Sequence, residues 1–285
     1  MTPAARLTLS ASLCALPLAA QAAPSPTLPP PMETVAHLHD YQVVEFRRYV
    51  TAAGRRGDFA RYFDAYFPEA FEQLGAMVFG QFAERGDPER FTWLRGFHDL
   101  PARPVVNAAF YYGPLWREHR AKVNAILPDS DNVMLMRPLH RGRGVAVLPA
   151  VDPVVEPRGA GGIVVAQVFA VEKDHIDALA ARAERAFAAY DGPGVQGAGV
   201  LVSLDVPNNF PQLPVRGDGP WLVWLGACRD EAALRALSPR LETVERELGA
   251  GGALRGPVER IVMDPTPRSR LRWLPFDAAA AQDAP

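Results

Sequence analysis

The sequence predicts an α+β protein in which two tandem ferredoxin-like units, each with the element order β-α-β-β-α-β, form one barrel within a single chain. Strand and helix patterns follow in that order over residues 41–139, and the order recurs over 163–265. Both helices of such a unit cover one sheet face, so the other face must be buried or polar. Two such faces in one chain can pack together. The alternative is two independent sandwiches that each meet another chain.

The elements of the first unit follow from their periods. Apolar and polar residues alternate over 43–50, which predicts a strand. Apolar residues recur at helical spacing over 57–74, and Gly75 is a typical helix stop. The remaining predicted elements are strands at 78–84 and 91–97 joined by a turn, a helix over 104–127 interrupted at Gly113 and Pro114, and a strand at 132–139.

The second unit repeats this order with a longer connection, 206–219, between its two middle strands. Asp174 is placed to cap the first helix of this unit. Residues 140–162, rich in Pro, Gly and Arg, are predicted to be a linker, and 266–285 a loose tail. The predicted elements are strands at 163–171, 195–205, 220–228 and 257–263, and helices at 174–190 and 231–248.

The N-terminus has the pattern of an export signal. Residues 1–22 combine Arg6, an uncharged apolar run and a small-x-small end at Ala22, where cleavage is expected. A Pro-rich leader over 23–40 follows. A lipoprotein anchored through Cys14 is disfavoured, since Cys14 lies inside the apolar run. We therefore expect a periplasmic or secreted protein whose remaining cysteine, Cys228, is a buried small hydrophobe.

Composition limits the partners. The 285 residues carry 30 Lys and Arg against 32 Asp and Glu, a formal charge of −2, which argues against nucleic-acid binding. After the leader, the chain has no uninterrupted apolar run of about 18 residues, so no membrane span is predicted. We expect a pseudo-dimeric monomer that binds a small-molecule ligand. Whether such monomers assemble further into a homo-oligomer stays open.

Several short motifs stand out along both units. They are EFRRY at 45–49, GQF at 80–82, FTWLRGF at 91–97, AFYYGPLW at 109–116, DSDNV at 129–133 and NNFPQLPVR at 208–216. Together they resemble the bacterial NIPSNAP family, well over 43–139 and more loosely over 163–265. The resemblance implies the dimeric α/β-barrel superfamily, which includes cofactor-independent monooxygenases, haem enzymes and small-molecule-binding proteins. It implies the fold and no single reaction.

Strand alternation predicts which side chains enter the barrel. We expect Val44, Phe46 and Leu94 to face the helices. The residues between them are then predicted to line the barrel interior: Glu45, Arg47, Tyr49, Gln81, Trp93, Arg95 and Phe97.

Two interpretations of this polar surface stay open. In the first interpretation, Glu45 forms a purely structural salt bridge with Arg47 or Arg95, because buried charges are costly unless they are paired. Alternatively, Arg47 and Arg95 bind an anionic or carbonyl group in a partly open cavity, with Trp93 and Tyr49 as stacking surface.

Further candidates have a structural and a functional interpretation each. Tyr111, Tyr112 and Trp116 either roof the cavity or belong to the core. His119 and His98 are acid–base or haem-ligand candidates, or solvated residues. Residues of the second-unit loop either tie it to the barrel mouth or shape turns; they are Asn208, Asn209 and Arg216.

These observations support three functions of different classes. The first is binding of a small, partly aromatic or anionic molecule in the barrel cavity, with no metal or cofactor predicted. Whether the protein also transforms this molecule without a metal stays open, and no catalytic residue is assigned. The alternatives are a non-catalytic structural or interaction protein and, more weakly, a haem-binding protein.

Overall fold

The computed structural model describes residues 40–274, and in it eight strands form one closed barrel. The order around the barrel is β1-β3-β2-β8-β5-β7-β6-β4, and every neighbouring pair is antiparallel. Each half contributes a four-stranded sheet in the ferredoxin-like order, with its helices on one face. The predicted fold class, two such units in an intrachain barrel of the dimeric α/β type, is confirmed.

The strands are β1 Val43–Val50, β2 Ala76–Glu84, β3 Arg90–Phe97, β4 Asp129–Pro138, β5 Ile163–Ala170, β6 Val195–Ser203, β7 Trp221–Cys228 and β8 Glu259–Pro265. The helices are α1 Arg56–Tyr66, α2 Pro68–Gln73, α3 Ala102–Tyr111, α4 Pro114–Asn124, α5 Ile176–Phe187 and α6 Glu231–Gly249.

Prolines divide both helical regions of the first half. The helix predicted over 57–74 is two helices, because Pro68 has no N–H to continue α1 and instead begins α2. The interruption predicted at Gly113 and Pro114 separates α3 from α4, as expected. The capping role of Asp174 is wrong. It lies in a 3₁₀ turn, and α5 begins only at Ile176.

The two halves meet along two short seams. Strand β2 pairs with β8 at one seam, where Ala83 lies opposite Asp264. Strand β4 pairs with β6 at the other, where Arg137 lies opposite Val202. Backbone pairing at both seams removes the free sheet edges that each half would otherwise present.

The barrel interior is apolar and filled, which corrects the predicted facing of β1 and β3. Val44, Phe46 and Leu94 point into the interior, where they join Val164, Val223 and other apolar side chains of the second half. An eight-stranded barrel is only wide enough for its own side chains. A charged side chain that pointed inward would therefore lie among apolar groups, and burying it there would be costly. Strand alternation fixes which residues share a face, but it does not say which face meets the helices.

The chain after β8 is not a loose tail as far as residue 274. Ser269 and Leu271 are buried over one end of the barrel, and the Leu271 N–H bonds to Phe79 O at 2.7 Å. A Cβ on Gly80 would lie 2.8 Å from Ser269 Oγ, so this approach needs glycine. The predicted linker also contributes, because Val145 is buried in the interior core.

The predicted signal peptide, the leader up to residue 39 and the tail beyond 274 lie outside the described residues. Within 40–274, every helix is too short or too polar to cross a bilayer. Cys228 is buried and unpaired, and burial raises the pKa of its thiol to about 11, as fits a structural side chain.

Candidate functional site

A cavity of about 120 Å³ lies between the first-half sheet and its helices, on the opposite sheet face from the barrel interior. Its wall is mostly aromatic, and two polar side chains of β1, Arg47 and Tyr49, belong to it. The aromatic rings come from β1, β3 and all four helices of this half: Tyr49, Phe59, Phe63, Phe67, Phe71, Trp93, Phe110, Tyr111 and Trp116.

Helical spacing explains how so many rings converge. Phe59 and Phe63 lie one turn apart on α1, and Phe71 on α2 continues the same apolar face. The Phe63 ring lies 4.9 Å from the Trp93 ring, and Phe71 stacks on Phe110 at 3.9 Å. Rings in such edge and stacked arrangements stabilise each other and keep the wall rigid.

Arg47 and Tyr49 form the polar part of the wall. Arg47 Nε donates to Tyr49 Oη at 2.7 Å, so the phenol keeps its own hydrogen for another acceptor. Burial raises the pKa of Tyr49, which keeps this donor protonated. The wall can therefore donate to an acceptor group on a ligand.

Behind this wall, one carboxylate holds three guanidiniums. Glu45 Oε2 accepts from Arg47 Nη1 at 2.5 Å and from Arg95 Nε at 2.6 Å, and Glu45 Oε1 accepts from Arg103 Nε at 2.7 Å. All four side chains are at most 1 % exposed. Burial alone would raise the pKa of Glu45, but the guanidiniums of Arg95, Arg47 and Arg103 hold it well below its ordinary value.

The cluster carries more donors and more positive charge than its partners satisfy. Three guanidiniums face one carboxylate, which leaves a surplus of two positive charges. The Arg95 guanidinium lies 4.8 Å from the Phe71 ring centroid and 5.2 Å from that of Trp93, so aromatic faces offset part of its charge. Several buried polar atoms of this region have no partner among residues 40–274: Arg95 Nη1 and Nη2, Arg103 Nη2, both amide atoms of Asn107, and Trp93 Nε1.

The long loop of the second half covers this site. Asn208 and Asn209 both accept from Arg103 Nη1, at 2.9 and 2.8 Å. Further along the loop, Leu213 and Pro214 complete the cavity wall. Asn208 and Asn209 therefore tie the loop to the first-half site, on the helix-covered face of the sheet and not at the barrel mouth that the sequence predicted.

The structure brings only part of the predicted set together. Five of the predicted residues lie next to one another: Glu45, Arg47, Tyr49, Trp93 and Arg95. The sequence predicted that they face the barrel interior, but in the structure they face the helices. The physical reason is that Glu45 finds its third guanidinium, Arg103, on α3. Tyr111 and Trp116 line the cavity.

Other predicted residues lie away from the cavity. Gln81 also faces the helices, but it donates to Asp64 Oδ1 at 2.9 Å. Tyr112 is 60 % exposed and lies near Phe210. Arg216 pairs with Asp218 and stacks over Trp221.

The two histidines also lie off the cavity wall. His119 Nδ1 is 2.5 Å from the Tyr62 hydroxyl, and its ring packs against Tyr66 at 4.4 Å. His98 is exposed and stacks on Tyr41 at 4.4 Å. The residues around the cavity thus do not fit haem ligation there. Within residues 40–274, no group of three or more His, Cys, Asp or Glu side chains is placed to hold a metal ion.

Sequence reasoning missed Arg103 and Asn107. Both are fully buried on α3, one helical turn apart, and Tyr111 follows at the same spacing. The predicted helix began at residue 104, which excluded Arg103. Polar residues recurring every fourth position on an otherwise apolar helix are the signal that could have found them.

Solved structures share the fold at low sequence identity. A proposed monooxygenase from Lactobacillus acidophilus matches 83 % of this chain and all of its own, with 12 % identity and a TM-score of 0.51. An anthrone oxidase-like protein matches over 80 % of this chain and 92 % of its own, with 13 % identity and a TM-score of 0.53. A NIPSNAP-like domain protein from Burkholderia xenovorans matches 34 % of this chain and 84 % of its own, with 22 % identity and a TM-score of 0.31.

Sequence comparisons add nothing to this result, since no family model and no curated protein matches the chain. At 12 and 13 % identity, the two long matches establish the fold alone. The chain has the dimeric α/β-barrel fold, with both barrel halves in one polypeptide and its candidate site under the helices of the first half.

Proposed function

We propose that this protein binds a small molecule with one aromatic ring and an anionic or carbonyl group, in the cavity between the first-half sheet and its helices. The observation that carries the proposal is an aromatic cavity with a protonated phenol and a guanidinium in its wall. The ligand class follows the sequence-based prediction, while the location does not.

The cavity size supports one ring. A cavity of about 150 Å³ in a well-packed protein is known to hold benzene. The cavity here is about 120 Å³, and its wall includes the half-buried residues Ser130, Leu213 and Pro214, so a small substituent on the ring can extend toward them. Most of the binding free energy would come from burial of the ring among Phe63, Trp93 and Trp116.

The polar wall supports an acceptor on the ligand. The Tyr49 hydroxyl and the Arg47 guanidinium are both donors, and hydrogen bonds from a charged donor are stronger than neutral ones. Arg47 is already held by Glu45 and Tyr49, so it is preorganised, which lowers the entropic cost of binding.

The test begins with native mass spectrometry of the purified full chain, to detect a co-purified small molecule. Binding is then measured by calorimetry with benzoate, phenol and cyclohexane carboxylate as probes. We expect benzoate to bind more tightly than either of the others, because only benzoate has both the ring and the anionic acceptor.

Variants locate the binding. Tyr49→Phe removes one hydroxyl and should weaken benzoate binding about tenfold, as the loss of one hydrogen bond of ~1.4 kcal/mol predicts. The matched control is Tyr190→Phe, a hydroxyl removed from the second half, which should leave the dissociation constant unchanged. Equal benzoate affinity in Tyr49→Phe and the unmodified protein would refute the proposed site.

A second candidate is a non-catalytic structural or interaction protein. It is favoured by the filled barrel interior and by the pairing of Glu45 with three guanidiniums. On this view the charges only fix the packing of α3 on the sheet. Failure of every aromatic probe to bind, together with no co-purified molecule, would support it.

We also propose that the protein is an exported member of the NIPSNAP family. The support is the motif set over 43–139 and 208–216 and the signal-like pattern of residues 1–22. Expression of the full chain in bacteria, fractionation and N-terminal sequencing test export. A mature N-terminus at Ala23 in the periplasm or medium is expected, while an intact chain in the cytoplasm would contradict it.

Haem binding stays the weakest alternative. An absorbance scan of protein purified in the presence of haem tests it, and a spectrum without a Soret band would exclude it. If the band is present, His119→Ala and His98→Ala show which histidine, if either, is the ligand.

A further inference from the structure

We propose that the first half contains a second, enclosed binding site, which takes a small anion between Arg95, Arg103 and Asn107. The anion is a halide or a carboxylate group, and the site lies under α3. The inference does not depend on the aromatic ligand proposed above, because it rests on different atoms and its deciding tests use bromide, formate and gluconate; benzoate enters only afterwards, to identify the source of the anion.

Unused donors are the first line of support. A guanidinium has five N–H groups, and Arg95 uses only Nε, on Glu45. Its Nη1 and Nη2 are buried and have no partner in the part of the chain that the structure describes, and the same holds for Arg103 Nη2. Buried donors normally have a partner, so a cluster of unpaired ones indicates a missing acceptor.

Asn107 lies on the same face of α3 as Arg103. Arg103, Asn107 and Tyr111 follow one another at four-residue steps, so their side chains share one helix face. Arg103 shares Glu45 with Arg95, and the Arg95 guanidinium lies 5.9 Å from the Tyr111 ring centroid. The first and the last of these three residues thus both lie near Arg95. Asn107, between them, is fully buried, and among the described residues neither its Nδ2 nor its Oδ1 has a partner, so Nδ2 is a further donor for an anion.

Charge is the second line of support. Glu45 neutralises one of the three buried guanidiniums, and the other two charges face aromatic rings and amide oxygens. The two remaining buried carboxylates among the described residues are engaged elsewhere, Glu84 with Arg48 and Asp64 with Gln81. An anion among the free donors would reduce this uncompensated charge, which is otherwise expensive in a protein interior.

The second half closes the site. Arg103 Nη1 is held by Asn208 and Asn209 of the long loop, and Asn209 Nδ2 donates to Leu100 O at 2.8 Å. These bonds occupy Arg103 Nη1 and, among the described residues, leave Nη2 as the unpaired donor of this guanidinium. A closed site of this kind selects small anions over large ones.

The experiment measures the melting temperature of the full chain in sodium bromide, formate or gluconate at equal ionic strength. Because Arg95, Arg103 and Asn107 are fully buried, we expect the site to exclude an anion as large as gluconate. Bromide and formate should therefore raise the melting temperature by about 3–6 °C relative to gluconate, with saturation at low concentration. Equal melting temperatures in all three salts would overturn the proposal.

Asn107→Asp separates specific binding from general salt effects. The new carboxylate supplies a negative charge in the site, so the bromide response should disappear. The matched control is Gln73→Glu, the same amide-to-carboxylate change at an exposed position, which should keep the full response. An equal bromide response in the unmodified protein and Asn107→Asp would contradict the site.

Crystals of the unmodified protein in bromide give a readout that needs no variant. An anomalous peak in contact with Arg95 and Arg103 supports the site, and a bromide-free site filled by water overturns it. Benzoate then identifies the source of the anion. If benzoate displaces bromide, the site takes a ligand carboxylate; if both bind together, it takes a free anion.

Discussion

The two halves of the chain build the same sheet but fill the layer between sheet and helices in opposite ways. Equivalent positions are found by counting from the first residue pairs of β1 with β3 and of β5 with β7, which are Val43–Phe97 and Ile163–Cys228. The pair Glu45–Arg95 of the first half then corresponds to Val165–Gly226, and Arg47–Trp93 corresponds to Gln167–Trp224. The first half is charged where the second is apolar or neutral.

Packing follows this difference. In the second half, Trp224 lies 4.6 Å from Tyr190, and Gln167 accepts from Tyr190 and donates to Glu245. Its layer is filled by Leu, Val, Ala and Phe side chains. Since one half folds without the charges, the fold does not require them at these positions. The comparison therefore favours a ligand as the reason for the charges of the first half.

The largest expected effect comes from Glu45→Gln, which removes the only carboxylate shared by Arg47, Arg95 and Arg103. Breaking a buried ion pair on one side leaves uncompensated charge, and a loss of about 3–5 kcal/mol in the free energy of unfolding is expected. Urea denaturation measures it. A loss below about 1 kcal/mol would mean that the cluster is solvated or reorganises.

The control replaces the whole cluster and makes the first half resemble the second. Glu45→Val combined with Arg47→Met, Arg95→Met and Arg103→Met should be as stable as the unmodified protein or up to about 4 kcal/mol more stable, because the desolvation cost disappears. Benzoate binding should be lost. If this variant is as unstable as Glu45→Gln, the charges are needed for the fold and the comparison fails.

Acid should weaken the first half more than the second. The pKa of Glu45 lies below its ordinary value of 4.5, because three guanidiniums outweigh burial. The stability it contributes is fully present above that ordinary value and is lost as the pH falls toward the lowered pKa. The slope of unfolding free energy against pH below about 4.5 should be smaller for the four-site apolar variant. Equal slopes would place the acid sensitivity elsewhere.

The sequence predicted the fold well because the evidence for it is local. Periods of two and 3.6 gave the order of elements, and the repeat of that order gave the barrel. The facing of the strands was wrong because β1 is buried on both faces: Phe46 packs in the barrel and Glu45 under α3. A strand with two buried faces gives no local signal for which one meets the helices.

The candidate site was only partly predictable for a similar reason. Trp93 and Arg95 carry chemistry that can be recognised in isolation, and the structure places them together. The roles of Arg103 and Asn107 become visible only once α3 packs on β1. The contact that shows it, between Glu45 and Arg103, joins residues 58 positions apart in the chain. The closing role of Asn208 depends on a still longer separation, 105 residues from Arg103.

A smaller effect is expected where the halves touch through the loop. Replacing Asn208 and Asn209 with Ala removes both acceptors of Arg103 Nη1. Hydrogen bonds to charged groups contribute about 1.5–3 kcal/mol each, and two that share one donor atom should cost about 2 kcal/mol together. Proteolysis within 206–219 should also become faster. Asn132→Ala is the control, since Arg216 keeps Asp218 as its partner; an equal loss in both would show that the loop is fixed by Arg216 instead.

The smallest effect is expected in the second half itself. Tyr190→Phe leaves the Gln167 side-chain oxygen without its donor and should cost about 1–2 kcal/mol. Adding Gln167→Leu should recover part of that loss, because both partners of the buried Tyr190 hydrogen bond are then apolar, while Glu245 loses the Gln167 donor but keeps Arg260. Benzoate binding, measured by calorimetry, should stay unchanged in both variants. Weaker benzoate binding in Tyr190→Phe would show that the sheet–helix layers of the two halves are coupled. The interpretation that the first half binds a ligand and the second half only packs would then be wrong.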